Sequence, residues 1–406
     1  MKLNRWLFLV GALGLGLRIA LALSIKPVLL YDSLEYHQYA EHLVKEHRYY
    51  ATVWSTPQAT LTGNFYSTRA PGYVFFVAGI YEIFGVNDRA VSVVQALLDF
   101  ISGIFVFLLA RNWLKPGHAF FAFLGYQLLL VYVPMLMSEA FFLFLFLFSL
   151  WIVCGKRSQS LSWMALNGIL WGMLILTKPE SVIFAPLFFG YALSRDYSRT
   201  GLLKSLLWLA IMAAAIAPWL WRGKQVHNRF VWITTRGGMT FFDGNYLPVD
   251  KRRVFALGDK LGLDEAGVDR LFFKVTMDYL KKHPGHYFKA SLKRLAVLLD
   301  LETYNGLGRF FLMPLLEAGG SFRTGLAGVS YFLFLASRLV MILGLVGAIV
   351  SFRKFRQLFI LYAIPLMILI FHFALFLGKP RYLVPAYPCL CIFAALFLAR
   401  FGRDGQ

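Results

Sequence analysis

The chain alternates long apolar stretches with short polar connections. Apolar runs lie near residues 5–27, 72–85, 89–110, 118–137, 140–154, 161–177, 181–194, 202–221, 327–350, 357–377 and 382–399. Most approach the ~20 residues a helix needs to cross the hydrocarbon core of a bilayer. The 72–85 run has 14 residues, too few for a comfortable crossing and typical of an interfacial or re-entrant segment. The pattern predicts an all-α polytopic membrane protein.

Basic residues decide how the runs are threaded. Short connections carry RNWLKPGH from Arg111, GKRSQ from Gly155, SRDYSR from Ser194 and FRKFR from Phe352, and Lys2, Arg5, Arg400 and Arg403 sit at the two ends. Cytoplasmic connections carry the excess of Lys and Arg. If all eleven runs crossed, RNWLKPGH and GKRSQ would face opposite sides. With 72–85 left out, ten spans remain, both termini are cytoplasmic and every short basic loop is inside.

Two longer loops then lie outside, at about 26–88 and 222–323. The second contains VDRLFFKVTMDYLKKHPGHYFKASLKRLAVLL, amphipathic and broken at Pro284-Gly285. It reads as juxtamembrane helices lying on the lipid surface with Lys and Arg at the headgroups. Its basic charge does not contradict the topology, because long loops escape the positive-inside count. The chain ends at Gln406 directly after its last apolar run, so one transmembrane domain over 1–406 is expected, with no separate soluble C-terminal domain.

Composition agrees with this and removes other classes. Charged residues are 15% and hydrophobic ones 59% of 406, against roughly a quarter charged in soluble domains. The net charge of +20 is spread over membrane-flanking loops, so nucleic acid is not an expected partner. Cys154, Cys389 and Cys391 all fall in apolar runs and show neither a disulfide framework nor zinc spacing. The N-terminus resembles a signal peptide, with Ala20-Leu21-Ala22 as a cleavage site, but Arg18 interrupts the apolar core and further spans follow. It reads as an uncleaved first helix. GALGLG (Gly11, Gly14, Gly16) has no preceding strand and reads as a small-residue helix-packing face.

The chemistry begins in residues 31–40, YDSLEYHQYA, where Asp32, Glu35 and His37 follow directly on the first apolar run. In the ten-span topology other isolated polar residues reach the same outer face. They are Arg69 in STRAPGY, Glu139 in MLMSEA, Lys178 and Glu180 in LTKPE, Arg222 in APWLWRG, and Lys379 and Arg381 in GKPRYLVP. Ionisable groups at membrane depth are costly, so such a gathering is a site hypothesis by default. A carboxylate there can take a proton from an attacking hydroxyl or amine. Arginines and lysines can hold a lipid phosphate and stabilise charge developing on it as it leaves. Arg18, inside the first span, is expected to snorkel or pair with another helix. His37, His42 and His47 lack the i, i+4 spacing of a helical metal site.

These residues, in this order, resemble a GT-C superfamily glycosyltransferase of the family 39 type, which includes protein O-mannosyltransferases and the lipid A aminoarabinose transferase. The resemblance runs nearly end to end. It takes in Arg18, Asp32 with Tyr36 and Ala40, RAPGY leading into Phe84-Gly85, SEA around Glu139, LTKPE, APWLWRG, FVWITTRGGMTFFDGNY, HPGHYF and PRYLVPAYP. It implies a GT-C fold and transfer of a sugar from a polyprenyl-phosphate donor to an envelope acceptor (lipid, glycan or protein). It further implies an active site on the outer, periplasmic face of a bacterial-type inner membrane, with inversion at the anomeric carbon. By that similarity Asp32 is the catalytic carboxylate, Glu139 a second acidic site residue, and Arg69 and Arg222 phosphate ligands. Lys178, Lys379 and Arg381 complete the phosphate-binding set. Glu35, Tyr36, Tyr66, Asp243 and Asn245 are the candidate substrate contacts, and Gly237, Gly238 and Asn245 resemble the family's glycine-rich stretch.

The chain departs from relatives at Ser33, where many have a second acid, and at Thr68, where the aminoarabinose type has one. Two oxygen ligands are thereby missing, so neither a metal nor a cofactor is expected. Without a C-terminal external domain, acceptor selection falls to the two external loops. The rival reading is a transporter or flippase of lipid-linked sugars, although no inverted repeat with paired broken helices is visible. A non-catalytic assembly partner is a third.

Overall fold

A computed structural model describes residues 2–25, 27, 29–55, 60–128, 135–299, 321–375 and 377–401. The membrane part is helical. It begins with α1 (Lys2–Ser24), and after a polar segment continues through α3 (Pro71–Phe84), α4 (Asp88–Ala110), α5 (Pro116–Gln127), α6 (Glu139–Cys154), α7 (Leu161–Thr177), α8 (Ala185–Arg195) and α9 (Arg199–His227). It closes with α14 (Ser321–Ser351), α15 (Phe355–Ala374) and α16 (Tyr387–Leu398). Side chains start two of the long helices. The Asn87 carboxamide oxygen accepts from the amides of Arg89 and Ala90 at 3.1 and 3.3 Å, and Ser198 caps α9 through Gly201.

Among the described residues, five helical stretches are long and apolar enough to cross a membrane: Arg5–Ser24, Asp88–Ala110, Arg199–His227, Leu335–Ala374 and Pro380–Leu398. Pro71–Phe84, Glu139–Cys154 and Leu161–Thr177 are shorter apolar helices. The chain is a multi-pass membrane protein. The run at 181–194 differs from expectation: a 3-10 turn, Pro179–Phe184, precedes α8, leaving only eleven residues of α-helix. Part of the 118–137 run, at 129–134, lies outside the described residues.

Small residues let the helices approach. A Cβ added to Gly168 or Gly172 on α7 would meet Trp208, Ile211 or Ala215 of α9, and Gly344 and Gly347 of α14 abut the backbone of α16 in the same way. Gly11 and Gly14 of α1 face Phe100 and Gln127, as the packing-face reading expects, whereas Gly16 faces open space. Arg18 pairs with another helix: its Nε lies 2.6 Å from Asp99 on α4 and its Nη1 donates to Gln127 at 2.8 Å. Both Arg18 and Asp99 are buried, and removing one partner of such a pair typically costs ~3–5 kcal/mol. The three cysteines are buried and free.

The two long segments between the apolar helices are not wholly helical. Between α2 (Asp32–Glu46) and α3 the chain forms an antiparallel hairpin, β1 (Ala51–Ser55) with β2 (Thr60–Phe65), pairing Ala51 with Phe65 and Trp54 with Leu61. The β-branched and aromatic residues of ATVWS suit a half-buried strand, and this short hairpin is a local addition to the predicted all-α architecture. The second loop forms α10 (Gly237–Gly244), α11 (Lys251–Lys260), α12 (Glu265–Lys282) and α13 (Pro284–Leu298). Trp54 joins Met239, Phe242, Val254, Phe255, Val268 and Phe272 in a core separate from that of the bundle. Burying each of these side chains contributes about 1.5–3 kcal/mol, and together they join the hairpin and α10–α12 in one cap. The main core runs from Tyr36 on α2 through the bundle to α16.

Candidate active site

The polar segment after α1 becomes a helix because its residues have two faces. Ser33, Glu35, Tyr36, Tyr39 and Ala40 are buried along one side of α2, while Lys45 and Glu46 end it in water. Tyr31 takes a positive φ of 50° and turns the chain sharply, and Ser33 accepts from the Leu30 amide at 3.0 Å. Asp32 is thereby the first residue of α2, where the positive end of the helix favours a carboxylate. Glu35 lies one turn on and on the same side.

Facing α2 is the loop between β2 and α3. Arg69 leads into Pro71, whose missing amide suits the first turn of α3. Tyr49 donates to the Arg69 carbonyl at 2.9 Å, and Thr68 donates to Glu35 at 3.2 Å. Arg69 then bridges two carboxylates, Nε to Glu35 at 2.8 Å and Nη2 to Asp32 Oδ1 at 2.6 Å. The other oxygen of Asp32 lies 2.9 Å from Arg381, in the 3-10 turn Pro380–Ala386.

From Arg381 the charges continue to Glu139 at the start of α6, 3.9 Å away, and Glu139 accepts from Lys178, after α7, at 2.9 Å. Its second oxygen, Oε2, is buried without a hydrogen-bond partner among the described residues. On the far side Arg236 reaches Glu35 at 3.3 Å. The result is an alternating row: Arg236, Glu35, Arg69, Asp32, Arg381, Glu139, Lys178. Neighbouring opposite charges let so many ionised groups share a partly dry site.

The row borders a cavity of ≈ 460 Å³ between bundle and cap. The bundle side presents Asp32, Tyr36, Arg69, Glu139, Lys178, Lys379, Arg381 and Tyr382; the cap side presents Arg236, Thr240, Asp243, Asp269 and Arg270. Burial would push the Asp32 carboxyl up, but Arg69, Arg381, Arg236 and Lys379 outweigh it and hold it well below the usual carboxylate range. Asp269 is pushed up to about 6, chiefly by burial, although it accepts from the Met239 amide at 3.1 Å. Lys379 opens into the cavity yet has protein around it. That burial, with Arg381 nearby, lowers its ammonium to about 8, and among the described residues the ammonium has no ion-pair or hydrogen-bond partner.

Most residues singled out in the sequence therefore converge: Asp32, Glu139, Arg69, Lys178, Lys379, Arg381, Tyr36 and Asp243 line one cavity. Asp243 is paired with Lys251 at 2.6 Å. Four residues do not line it. Glu35 is fully buried behind Asp32 and Arg69. Arg222 braces backbone instead, donating to the carbonyls of Tyr66 and Tyr49 at 3.1 and 3.0 Å with its guanidinium over Trp219 and Tyr49. Tyr66 takes part through its main chain, its amide donating to Glu265 at 3.0 Å. Asn245 is buried and accepts from Arg294 at 3.0 Å.

Sequence reading missed Arg236, Asp269 and Arg270. Arg236 directly precedes the glycine pair in TTRGG, a usable signal, whereas Asp269 and Arg270 stand in an ordinary amphipathic helix and give none. Gly238 is there for close approach: an added Cβ would overlap the Asp269 carbonyl and the Phe273 amide.

Residues 68–221 match the protein family described as dolichyl-phosphate-mannose-protein mannosyltransferase. No curated protein matches the chain. Among solved structures, the fold is similar to the oligosaccharyltransferase AglB of Archaeoglobus fulgidus. The form in complex with an inhibitory peptide and a dolichol-phosphate gives 15% identity and TM-score 0.53 over 98% of this chain and 50% of that one. The apo form gives 15% identity and TM-score 0.56 over 97% and 50%. ArnT from Cupriavidus metallidurans bound to undecaprenyl phosphate gives 13% and 0.45 over 98% and 78%. The chain spans about half the length of the AglB structures it matches. The resemblance to GT-C glycosyltransferases read from the sequence is borne out, and the fold is a GT-C membrane fold.

Proposed function

We propose that this chain of GT-C fold is a glycosyltransferase that moves a sugar from a polyprenyl-phosphate donor to an envelope acceptor on the outer face of the membrane, with inversion. The observation that carries the reading is Asp32, with one arginine on each carboxylate oxygen, on the wall of a cavity that also holds Lys379, which has no ion-pair partner among the described residues. The matched family and the AglB complex with dolichol-phosphate support a lipid-phosphate donor.

In the reaction the acceptor heteroatom bonds to the anomeric carbon, and its proton passes to the Asp32 carboxylate. The bond from that carbon to the phosphate oxygen breaks, and its electron pair stays on the phosphate. A sugar–phosphate–lipid diester carries one negative charge; the departing monoester gains another. Lys379 and Arg381 hold that charge, with Lys178 beyond them and Arg69 beside them on the cavity wall. One displacement with base and leaving group on opposite faces of the sugar inverts the anomeric centre.

Asp32, held ionised by two arginines, is a poor base at rest. A phosphate that draws Arg381 toward itself removes part of that stabilisation and strengthens the base only when donor is present. No step needs a metal, because guanidinium groups already occupy both oxygens of Asp32 and Lys178 takes one of Glu139.

Purified protein given a synthetic prenyl-phosphate sugar and a mixture of envelope acceptors should form glycosylated product. Asp32→Asn keeps the shape and loses the basicity, so turnover should fall ~10²–10⁴-fold with donor binding nearly unchanged. Wild-type turnover in Asp32→Asn, or lipid translocation without glycosyl product in either protein, would refute the assignment and favour a flippase.

A further inference from the structure

Arg294 on α13 is fully buried and, among the described residues, pairs with no carboxylate. Its guanidinium instead gathers oxygens at the ends of two helices. Nε donates to the His372 carbonyl at 3.0 Å, and Nη2 donates to the Phe373 carbonyl and to Ser291 Oγ, each at 2.6 Å. Nη1 donates to the Gly244 carbonyl at 3.1 Å and to Asn245 Oδ1 at 3.0 Å. His372 and Phe373 belong to the last turn of α15, and Gly244 closes α10, so the guanidinium meets carbonyls at two helix C-termini. A cation at two helix C-termini also meets two negative dipole ends at once.

The place of this knot gives it a function. Immediately beyond α15, residues 377–381 carry Lys379 and Arg381 into the cavity, and α10 follows Arg236 and carries Thr240 and Asp243 on the opposite wall. Gly378 rests directly on the α13 backbone, where an added Cβ would overlap the Arg294 carbonyl. Tyr287 of α13 also donates to the Ala374 carbonyl, and His372 Nδ1 binds the Leu377 carbonyl at 2.9 Å.

We infer that Arg294 is a positioning residue that ties the cap helix α10 to the end of α15 and so sets Lys379 and Arg381 over Asp32. The inference rests on the glycosyl-transfer reading for its catalytic consequence, though not for its geometry. Lysine cannot take its place: an ammonium has three donors on one atom and cannot span the two helix ends.

The test uses the full chain in lipid nanodiscs. Lys379 is labelled with an amine-reactive reagent across a pH series and read at peptide level by mass spectrometry. Wild type should reach half-reactivity near pH 8. In Arg294→Lys the 377–381 segment leaves its place, and half-reactivity should rise toward the ordinary lysine value of about 10.4. Gly378→Ala, which displaces the same segment while Arg294 remains, should shift it in the same direction. In transfer assays both variants should raise KM for the donor about tenfold or more and lower kcat less, and free guanidinium should restore part of the loss in Arg294→Ala. Variants that unfold more easily but keep wild-type Lys379 labelling and donor KM would overturn the inference and leave Arg294 a plain brace. If wild type transfers no sugar, the functional reading fails, while the labelling still decides whether Arg294 positions Lys379.

Discussion

Lys379→Arg provides a sharp test of how the cavity holds the donor. Burial, with Arg381 beside it, lowers the ammonium to about 8, from an ordinary value of about 10.4. A lysine is charged below its pKa, so Lys379 is about nine-tenths charged at pH 7 and only about one-tenth charged at pH 9. A hydrogen bond to a charged group contributes ~1.5–3 kcal/mol, or roughly 10- to 100-fold in binding. In wild type, kcat/KM for the donor should therefore fall by about tenfold or more as pH rises through 8, since this ratio reports ionisations of the free enzyme. Once phosphate is bound, its charge favours the ammonium, and the alkaline limb of kcat should lie at higher pH.

Arginine stays charged throughout this range. Lys379→Arg should retain activity and lose the limb near pH 8, and Lys379→Met should be uniformly weak with no such limb. The measurement is initial-rate transfer from a synthetic prenyl-phosphate sugar between pH 6 and 10, with protein stability checked at each pH. An alkaline limb at the same pH in wild type and Lys379→Arg would refute the reasoning, because the titrating group would then be the acceptor or another side chain.

Other expectations follow from placement. Arg222→Ala removes two hydrogen bonds to the carbonyls of Tyr49 and Tyr66; it should lower stability by about 2 kcal/mol and leave donor KM unchanged in the folded fraction, so a large KM effect would return Arg222 to the phosphate site. Gly238→Ala forces a methyl group into the backbone of α12 and should cost ~1–3 kcal/mol or more; thermal unfolding with wild-type stability would contradict the close approach of α10 and α12. Treatment with EDTA should leave transfer intact, because cations already hold the Asp32 and Glu139 carboxylates; loss of activity restored by one added divalent ion would show otherwise.

Legibility in the sequence followed the demands of the bilayer. A helix in lipid must satisfy its backbone internally and present apolar side chains for most of its length, so the runs giving α1, α4, α6, α7, α9 and α15 stand out without structural knowledge. The same rule exposes polar residues at their ends, and Asp32, Glu139, Lys178 and Arg381 were found that way. Arg222 sits at the end of an apolar run just as Arg381 does, and nothing local separates a residue that braces two carbonyls from one that meets Asp32. The hairpin and cap were illegible for another reason. Their core joins Trp54 to residues around 239–272, and no short periodic pattern records a contact across nearly two hundred positions.

By itself, then, the sequence determined the helical membrane class, the position of the main apolar segments and the kinds of charge gathered near their ends, because each depends on composition within about twenty consecutive residues. Tertiary structure alone decided which carboxylate meets which cation. Glu35 and Arg236 are 201 positions apart, and they meet because the cap folds back over α2. Asp32 receives Arg69 from the loop before α3 and Arg381 from the turn before α16, and its depressed pKa comes from that convergence. Ionic interactions depend on separation in space and on the medium between the charges, and chain connectivity fixes neither until the helices have packed.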